Sequence, residues 1–441
     1  MQHTPIDPKD RVFLFLQGPH GPFFSALGKM LRATGAQVWR VGFNAGDKAF
    51  WSDKASYVPF LCAAETWPET LAGIITDKGV TDIVLYGDTR PVHALAVHVA
   101  RAHGAIVHVF EEGYLRPWWV TYERNGSNGN SHLMSLGVKQ MRLALEDADN
   151  KTPPPPSHWG DMRQHIFYGA LYHWFVMFVN GRYRNFRRHR ELPVSTEFRL
   201  YFKRLILMPF HRLRRSIATA RVRWRGYPYH LVLLQLGHDS SVRAHSNYSG
   251  MCEFLDQVIE GFAQGAPAHH RLVIKEHPLE NHREPLRRHA MACARKHGIQ
   301  ERVHYVPGGK LAKLLDDANS AVTVNSTAGQ QVLWRGIPLR IFGRSVYDKP
   351  EFVSQQPIAA FFAAPEHPDS EAYRCYRQFL LETSQVPGGF YSRRGRRQVL
   401  RRAVDMMLSA NDPYQVILNK NAARTPQLKI VEGQGRAVTG S

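Results

Sequence analysis

Val12-Phe13-Leu14-Phe15-Leu16, followed at once by Gln17-Gly18-Pro19, decides the fold class. Five successive apolar residues leave no polar face, as expected of a parallel strand covered by helices on both sides. The Gly-Pro pair ends the strand, and a helical pattern over residues 23–34 closes on Gly35, the residue type that accepts the left-handed turn after a helix. The same alternation then repeats. Strands are expected over 38–41, 82–86 and 106–110, with helices over 71–78 and 91–103. Strands alternating with helices every 20 to 25 residues predict a doubly wound parallel sheet.

The rhythm breaks at Lys151-Thr152-Pro153-Pro154-Pro155-Pro156-Ser157-His158. Four prolines in a row fit neither a helix interior nor a central strand, so this is a stiff linker. It resumes at 230–236 and runs through strands at 271–275, 303–306, 320–324 and 339–342. Helices are expected at 252–263, 285–297, 310–317 and 328–335. The expected architecture is therefore two Rossmann-like α/β domains with a cleft between them. Residues 1–150 are expected to form the N-terminal domain and 227–390 the C-terminal domain. Residues 151–226 are a linker and a basic, helical insertion, and 391–441 a terminal helix over 397–408 with a disordered tail after about Asn419.

Composition narrows the partners. The formal charge is +20, which favours an anionic partner: nucleic acid, an anionic membrane surface or a phosphorylated substrate. Residues 182–225 hold fourteen Lys and Arg against two Glu, with Tyr183, Phe186, Phe198, Tyr201, Phe202, Phe210 and Trp224 interleaved. No helix-turn-helix, zinc-finger or RNP-like pattern accompanies this charge, so nucleic acid is not the expected partner. The four cysteines have no short spacing, which leaves a zinc or dithiol site unsupported and suits a reducing compartment. No signal peptide is evident at the N-terminus. The longest apolar stretch, 166–179, is shorter than the ~20 residues a bilayer span needs. The expected location is the cytoplasm.

Ligands in such sheets bind beyond the carboxyl ends of the strands. The polar residues found there are the candidates. Gln17 and Gly18 follow the first strand, as a plain tight turn or as one wall of an acceptor site. Glu111 and Glu112 end the strand 106–110 and lead through Gly113 into Arg116 and Trp118-Trp119, a cation and rings suited to a sugar acid. Alternation along a strand lets only one of the two carboxylates face the reacting centre. After the first strand of the second domain come His238, Asp239 and Arg243: a carboxylate for attack or base work, with cations for anionic groups, or a capped helix start. Lys275 and His277-Pro278 end the strand 271–275. Asn325-Ser326-Thr327 precede a helix whose first N–H groups suit a phosphate, or are simply capped. Asp147-Ala148-Asp149 has the short DxD spacing of metal-using transferases but sits in an acidic run beside the linker. It reads as a solvated helix end, and no other cluster has metal-ligand spacing.

In order along the chain, RVFLFLQGPHGPFF, VFEEGYLRPWWVT, LQLGHDSSVRAHS, IKEHPLE and VNSTAGQQVLWRGIP resemble the capsule polysaccharide biosynthesis family of the KpsS/LipB type. The resemblance spans roughly residues 11–350 and is weakest over 153–225. It implies a GT-B-like pair of domains, with 1–150 on the acceptor side and 227–390 binding the CMP-sugar, and a retaining β-Kdo transferase that uses CMP-Kdo, without a metal or other cofactor, to begin a capsule linker on a phosphatidylglycerol-type lipid. It further implies Asp239 as nucleophile, a glutamate of the FEEGYLRP segment as acid/base, with Glu111 preferred and Glu112 the alternative, and His277, Pro278, Ser326 and Thr327 as the CMP-binding pairs. Arg116, Arg243 and Lys275 are the cations that balance charge in place of a metal. The basic, aromatic insertion then reads as a surface for the inner face of the bacterial inner membrane, and other capsule synthesis and export proteins as partners. A non-catalytic assembly or export component, or a transferase of the same fold with another CMP-sugar, are the alternatives.

Overall fold

The computed structural model describes residues 7–145, 161–185, 196, 199, 208–237, 240–277, 280 and 284–419. The proline run, Asp147 to Asp149, much of the basic insertion and the tail after 419 lie outside the described residues.

Twelve described strands form two sheets. In the first, β1 (Val12–Phe15), β2 (Gln37–Gly42), β3 (Tyr57–Pro59), β4 (Asp82–Tyr86), β5 (Ile106–Glu112), β6 (Trp119–Arg124) and β12 (Gln385–Pro387) run in the order β12-β6-β5-β4-β1-β2-β3. In the second, β7 (Tyr229–Leu233), β8 (Arg271–Lys275), β9 (Val303–Val306), β10 (Ala318–Thr323) and β11 (Leu339–Ile341) run β11-β10-β7-β8-β9. Every pairing in the second sheet is parallel. In the first, only β5–β6 and β6–β12 are antiparallel. The fold is two Rossmann-like α/β domains, GT-B-like, as the apolar runs predicted. Phe13, Leu14 and Phe15 are fully buried because helices cover both faces of β1, and each such side chain contributes about 1.5–3 kcal/mol by leaving water.

Three features depart from the sequence reading. First, β6 is a strand that the sequence reading omitted. A hairpin from Gly113 to Trp118 folds it antiparallel on β5, so Trp119 is buried in the core and cannot serve a sugar. Second, β12 lies within the stretch assigned to the second domain, yet it pairs with β6 of the first sheet. The helix Arg393–Leu408 follows it onto that sheet. Val399, Ala403 and Met407 join the core that holds Phe13 and Phe110, and Arg11 Nη1 donates to the Met407 carbonyl at 2.7 Å. Third, the helix Val138–Leu145 leaves the first domain. Val138 and Met141 pack with Tyr373 and Tyr376 of the helix Ser370–Thr383 in a cluster that also holds strand residues of the second domain. The expected helices over 310–317 and 328–335 shorten to Leu311–Leu315 and Gly329–Leu333.

The domains touch directly. Lys349 Nζ, buried in the second domain, donates to the Leu133 carbonyl at 2.7 Å. The helix Ser240–His245 meets Gly129, where an added Cβ would lie 2.3 Å from His245 Nδ1. Gly129 belongs to a loop tied down by Asp88, which accepts from Ser127 N–H at 2.9 Å and from Asn130 Nδ2 at 3.0 Å.

Candidate active site

The carboxyl end of β5 carries the two glutamates on opposite faces. Glu112 Oε1 accepts from the Tyr86 hydroxyl at 3.2 Å and from the Tyr391 hydroxyl at 3.4 Å. Its place is therefore set by two phenols. Glu111 turns the other way, toward the β4–helix turn, where its Oε2 lies 2.9 Å from the point a Cβ on Gly87 would occupy. Glu111 Oε1 also accepts from the Glu112 N–H at 3.1 Å. Burial pushes the Glu111 carboxyl up to about 7, against the Glu112 N–H bond that favours its ionised form. The Glu112 charge adds to the rise, while Arg90 and Arg116 oppose it. A half-buried carboxyl that titrates near neutrality can take or give a proton at working pH.

Gly87 is required at this point. Its φ of +68° is left-handed, and a side chain would drive into Glu111. Gly87→Ala is expected to displace the Glu111 carboxyl and cut turnover about 100-fold while costing only ~1–2 kcal/mol of stability. Steady-state kinetics beside a melting curve check this; equal turnover would mean that the Glu111 position is unimportant.

The remaining first-domain candidates divide. Arg116 is exposed on the hairpin, with its Nε donating to the Gly113 carbonyl at 3.2 Å. Trp118 is half-buried with a left-handed φ of +75°, an uncommon state for a bulky residue. Gln17 turns inward instead of walling an acceptor site. It is buried and donates to Asp47 Oδ2 at 3.1 Å, because the aspartate beneath the β1 turn needs donors. Gly18 lets the backbone pass the Phe24 ring, which a Cβ would meet at 2.5 Å.

In the second domain, Lys275 ends β8 and is buried. Burial lowers its ammonium to about 8; the nearby Arg215 charge adds to the fall and Glu276 resists it. The adjacent Glu276 accepts from the Tyr305 hydroxyl at 3.0 Å. His277 follows, half-buried. Asn325 is buried as a brace: its Oδ1 accepts from Gln235 Nε2 and its N–H donates to Gln235 Oε1, both at 2.9 Å. It holds the ends of β7 and β10 together, which leaves half-buried Ser326 and Thr327 as the groups open to a ligand. Ser326 Oγ accepts from the Ala328 N–H at 3.2 Å, and the Tyr347 hydroxyl donates to the Ser326 carbonyl. His238, Asp239 and Pro278 lie outside the described residues, and Arg243 falls on the helix Ser240–His245. Gly237 and Gly250 crowd Glu284, whose carboxylate accepts from the Met251 N–H at 3.0 Å.

Tyr86, Gly87, Arg90, Tyr391 and Arg215 were not anticipated. Tyr86 and Gly87 obey the strand-end rule and were findable by it. Tyr391 and Arg215 reach the site only because the chain crosses between domains. Among the described residues, no group of His, Cys, Asp and Glu could hold a metal ion.

Comparison with known proteins places these residues in a family context. The chain is 33% identical over 388 residues to the capsule polysaccharide modification protein LipB of Neisseria meningitidis serogroup B, covering 86% of this chain and 91% of LipB. It is 29% identical to the capsule polysaccharide export protein KpsS of Escherichia coli, covering 86% of this chain and 97% of KpsS. Among solved structures, it is similar to Thermosulfurimonas dismutans KpsC, a beta Kdo 2,7 transferase, with a TM-score of 0.43, 11% identity, and coverage of 90% of this chain and 100% of that one. The family model described as capsule polysaccharide biosynthesis protein matches residues 81–391, which hold both sheet ends and every candidate except Gln17 and Gly18. The chain belongs to the capsule polysaccharide biosynthesis protein family.

Proposed function

We propose that this protein is a retaining β-Kdo transferase that moves Kdo from CMP-Kdo to a phosphatidylglycerol-type lipid at the inner face of the bacterial inner membrane, beginning a capsule linker. The observation that carries the reading is Glu111: a carboxyl raised to about 7 at the carboxyl end of β5. Across the interdomain contact, the helix that begins directly after Asp239 packs on the loop held by Asp88, next to Gly87. Two carboxylates on facing domains suit double displacement.

In the first step Asp239 attacks the anomeric carbon, the bond to the CMP phosphate oxygen breaks, and CMP leaves with the electron pair. In the second, the acceptor hydroxyl attacks the same carbon, its proton passes to ionised Glu111, and the Asp239 carboxylate is released. Two inversions give net retention. CMP needs no protonation to depart, so cations suffice on the donor side. Lys275, His277, Pro278, Ser326, Thr327, His238 and Arg243 are assigned there, and no metal or other cofactor takes part. Arg116 and Trp118 are assigned to the acceptor side. Asn325, Gln17 and Gly18 are positioning residues.

The test is a product assay with CMP-Kdo and a short-chain phosphatidylglycerol analogue, read by mass spectrometry with Asp239→Asn as the inactive control. A Kdo adduct from the wild type alone is expected. No adduct, with the donor intact, would overturn the transferase reading. It would favour a non-catalytic export role, in keeping with the name of the export protein KpsS. Transfer of a different sugar from its CMP donor would keep the fold's chemistry and change the substrate.

A further inference from the structure

The helix Asp161–Phe178 presents two unlike faces. One is fixed to the first domain. Tyr172 stacks on His20 with ring centroids 4.4 Å apart, and its hydroxyl accepts from Asn44 Nδ2 at 2.7 Å. His165 stacks on Tyr391, whose hydroxyl donates to Glu112, with centroids 4.2 Å apart. The opposite face holds Phe167, Trp174 and Phe178, which are 61%, 46% and 69% exposed. Spacings of seven and four put all three on one stripe. Arg163 lies one turn before them, and Arg182 and Arg184 follow the helix, all exposed.

The helix Met208–Trp224 repeats this arrangement on the second domain. Arg215 Nε donates to the Pro307 carbonyl at 2.9 Å, Thr219 sits against Gly309, and Val222 is buried in the core. On the far side Leu213, Ile217 and Trp224 share a stripe and are exposed, with Trp224 at 88%. Arg214 and Arg221, at three before and four after Ile217, flank that stripe and are exposed.

An aliphatic and aromatic stripe edged by arginines fits the headgroup boundary of an anionic bilayer: rings enter the acyl edge while guanidinium groups meet lipid phosphates. No helix among the described residues is long and apolar enough to cross a membrane, so these helices would lie in the interface. Each is rooted beside a site loop, the first at His20 and Tyr391, the second next to Lys275 through Arg215.

We propose that these two helix faces, one on each domain, form a split docking surface for an anionic phospholipid bilayer, with Phe167, Trp174 and Phe178 on one half and Leu213, Ile217 and Trp224 on the other. The surface deepens the transferase reading by bringing a lipid acceptor to the cleft mouth, and rests on it only for that purpose.

The full chain is sedimented with vesicles of phosphatidylethanolamine and phosphatidylglycerol, and with phosphatidylcholine alone. Changing Phe167, Trp174 and Phe178 together to Ser is expected to weaken binding to the anionic vesicles ~100-fold, and the triple change of Leu213, Ile217 and Trp224 about as much. Arg214→Gln with Arg221→Gln should lower affinity for the anionic vesicles ~10-fold and leave phosphatidylcholine binding unchanged. All variants should keep the wild-type melting temperature and the wild-type rate on a short-chain, monomeric acceptor. Unchanged vesicle binding in both triple variants overturns the proposal. So does a wild type that ignores vesicles, whether it instead binds nucleic acid or self-associates through these faces. If vesicle binding falls as stated but the wild type transfers no Kdo, the docking surface stands and the transferase reading falls.

Discussion

Glu111→Gln is expected to lower kcat by about 1000-fold, the loss typical of removing a positioned base. In the wild type, kcat/KM should rise as pH passes through about 7, since proton acceptance needs the ionised form and burial delays ionisation to that point. Glutamine has the same shape and no titrating proton, so the variant should show its small residual rate without that rise. Glu112→Gln, whose carboxylate receives two tyrosine hydroxyls, should lose less, roughly 10-fold, and keep the pH profile. Stability gives a second readout. The folded pKa of Glu111 lies above its ordinary 4.5, so the folded state holds the proton longer than the unfolded state. Stability therefore falls as pH rises from 4.5 to about 7 and is level above that. Glu111→Gln escapes this penalty and should melt higher than the wild type at pH above 7. A variant with wild-type turnover would remove Glu111 from the reaction; the reverse pattern at the two glutamates would exchange their roles.

Asp82→Ala is expected to destabilise the first domain by about 3–5 kcal/mol, the cost of leaving buried charge without its partner. Asp82 is wholly buried at the start of β4, at the other end of the sheet from Glu111. Arg11 pairs with both of its oxygens, with Nε to Oδ2 at 2.9 Å. His108 Nε2 lies 2.7 Å from Oδ1, and His108 Nδ1 lies 2.7 Å from the Tyr122 hydroxyl. A neutral imidazole satisfies both contacts: Nε2–H donates to Asp82 and Nδ1 accepts from Tyr122. Burial lowers the His108 pKa from 6.5 to about 4, outweighing the pull of Asp82. Burial alone would raise Asp82, but His108 and Arg11 together hold it at about 2. Both shifts are downward, so the contribution of this cluster to stability is full above 6.5 and falls as pH drops, opposite in sign to that of Glu111. The His108 contribution is lost between 6.5 and about 4, and the Asp82 contribution between 3.8 and about 2. Chemical denaturation across this range checks both. Replacing His108 by Gln should remove the upper limb of the acid loss and retain the lower one. A variant Asp82→Ala with wild-type stability would mean that the cluster is held by packing alone.

How much of this was legible in the sequence follows from the range over which each signal acts. The runs Val12 to Leu16 and Leu231 to Leu234 announce strands because burial on both faces excludes polar residues locally. Glu111, Glu112, Lys275 and Ser326 could be singled out as candidates because strand ends are where parallel sheets open to ligands. Trp119 was misread because two adjacent tryptophans after a proline carry no mark of the hairpin that turns one inward. Gln17 was misread because its partner, Asp47, lies thirty residues away on another element.

The amino-acid sequence by itself determined the two α/β domains, the proline break, the excess of positive charge and the family motifs, each a matter of neighbours in the chain. Only the tertiary structure decided the surroundings of the two glutamates: burial beside the Gly87 turn raises the Glu111 carboxyl, and Tyr86 and Tyr391, from separate elements, hold Glu112. It alone returned Gln385–Pro387 and Arg393–Leu408 to the first domain, where β6 still had an unpaired edge and the Phe13 face an uncovered surface. It also decided that Phe167, Trp174 and Phe178 face outward while Tyr172 and His165 face in. A stretch apolar on nearly every side has no periodicity to read, and only the contacts with His20, Asn44 and Tyr391 choose the buried face.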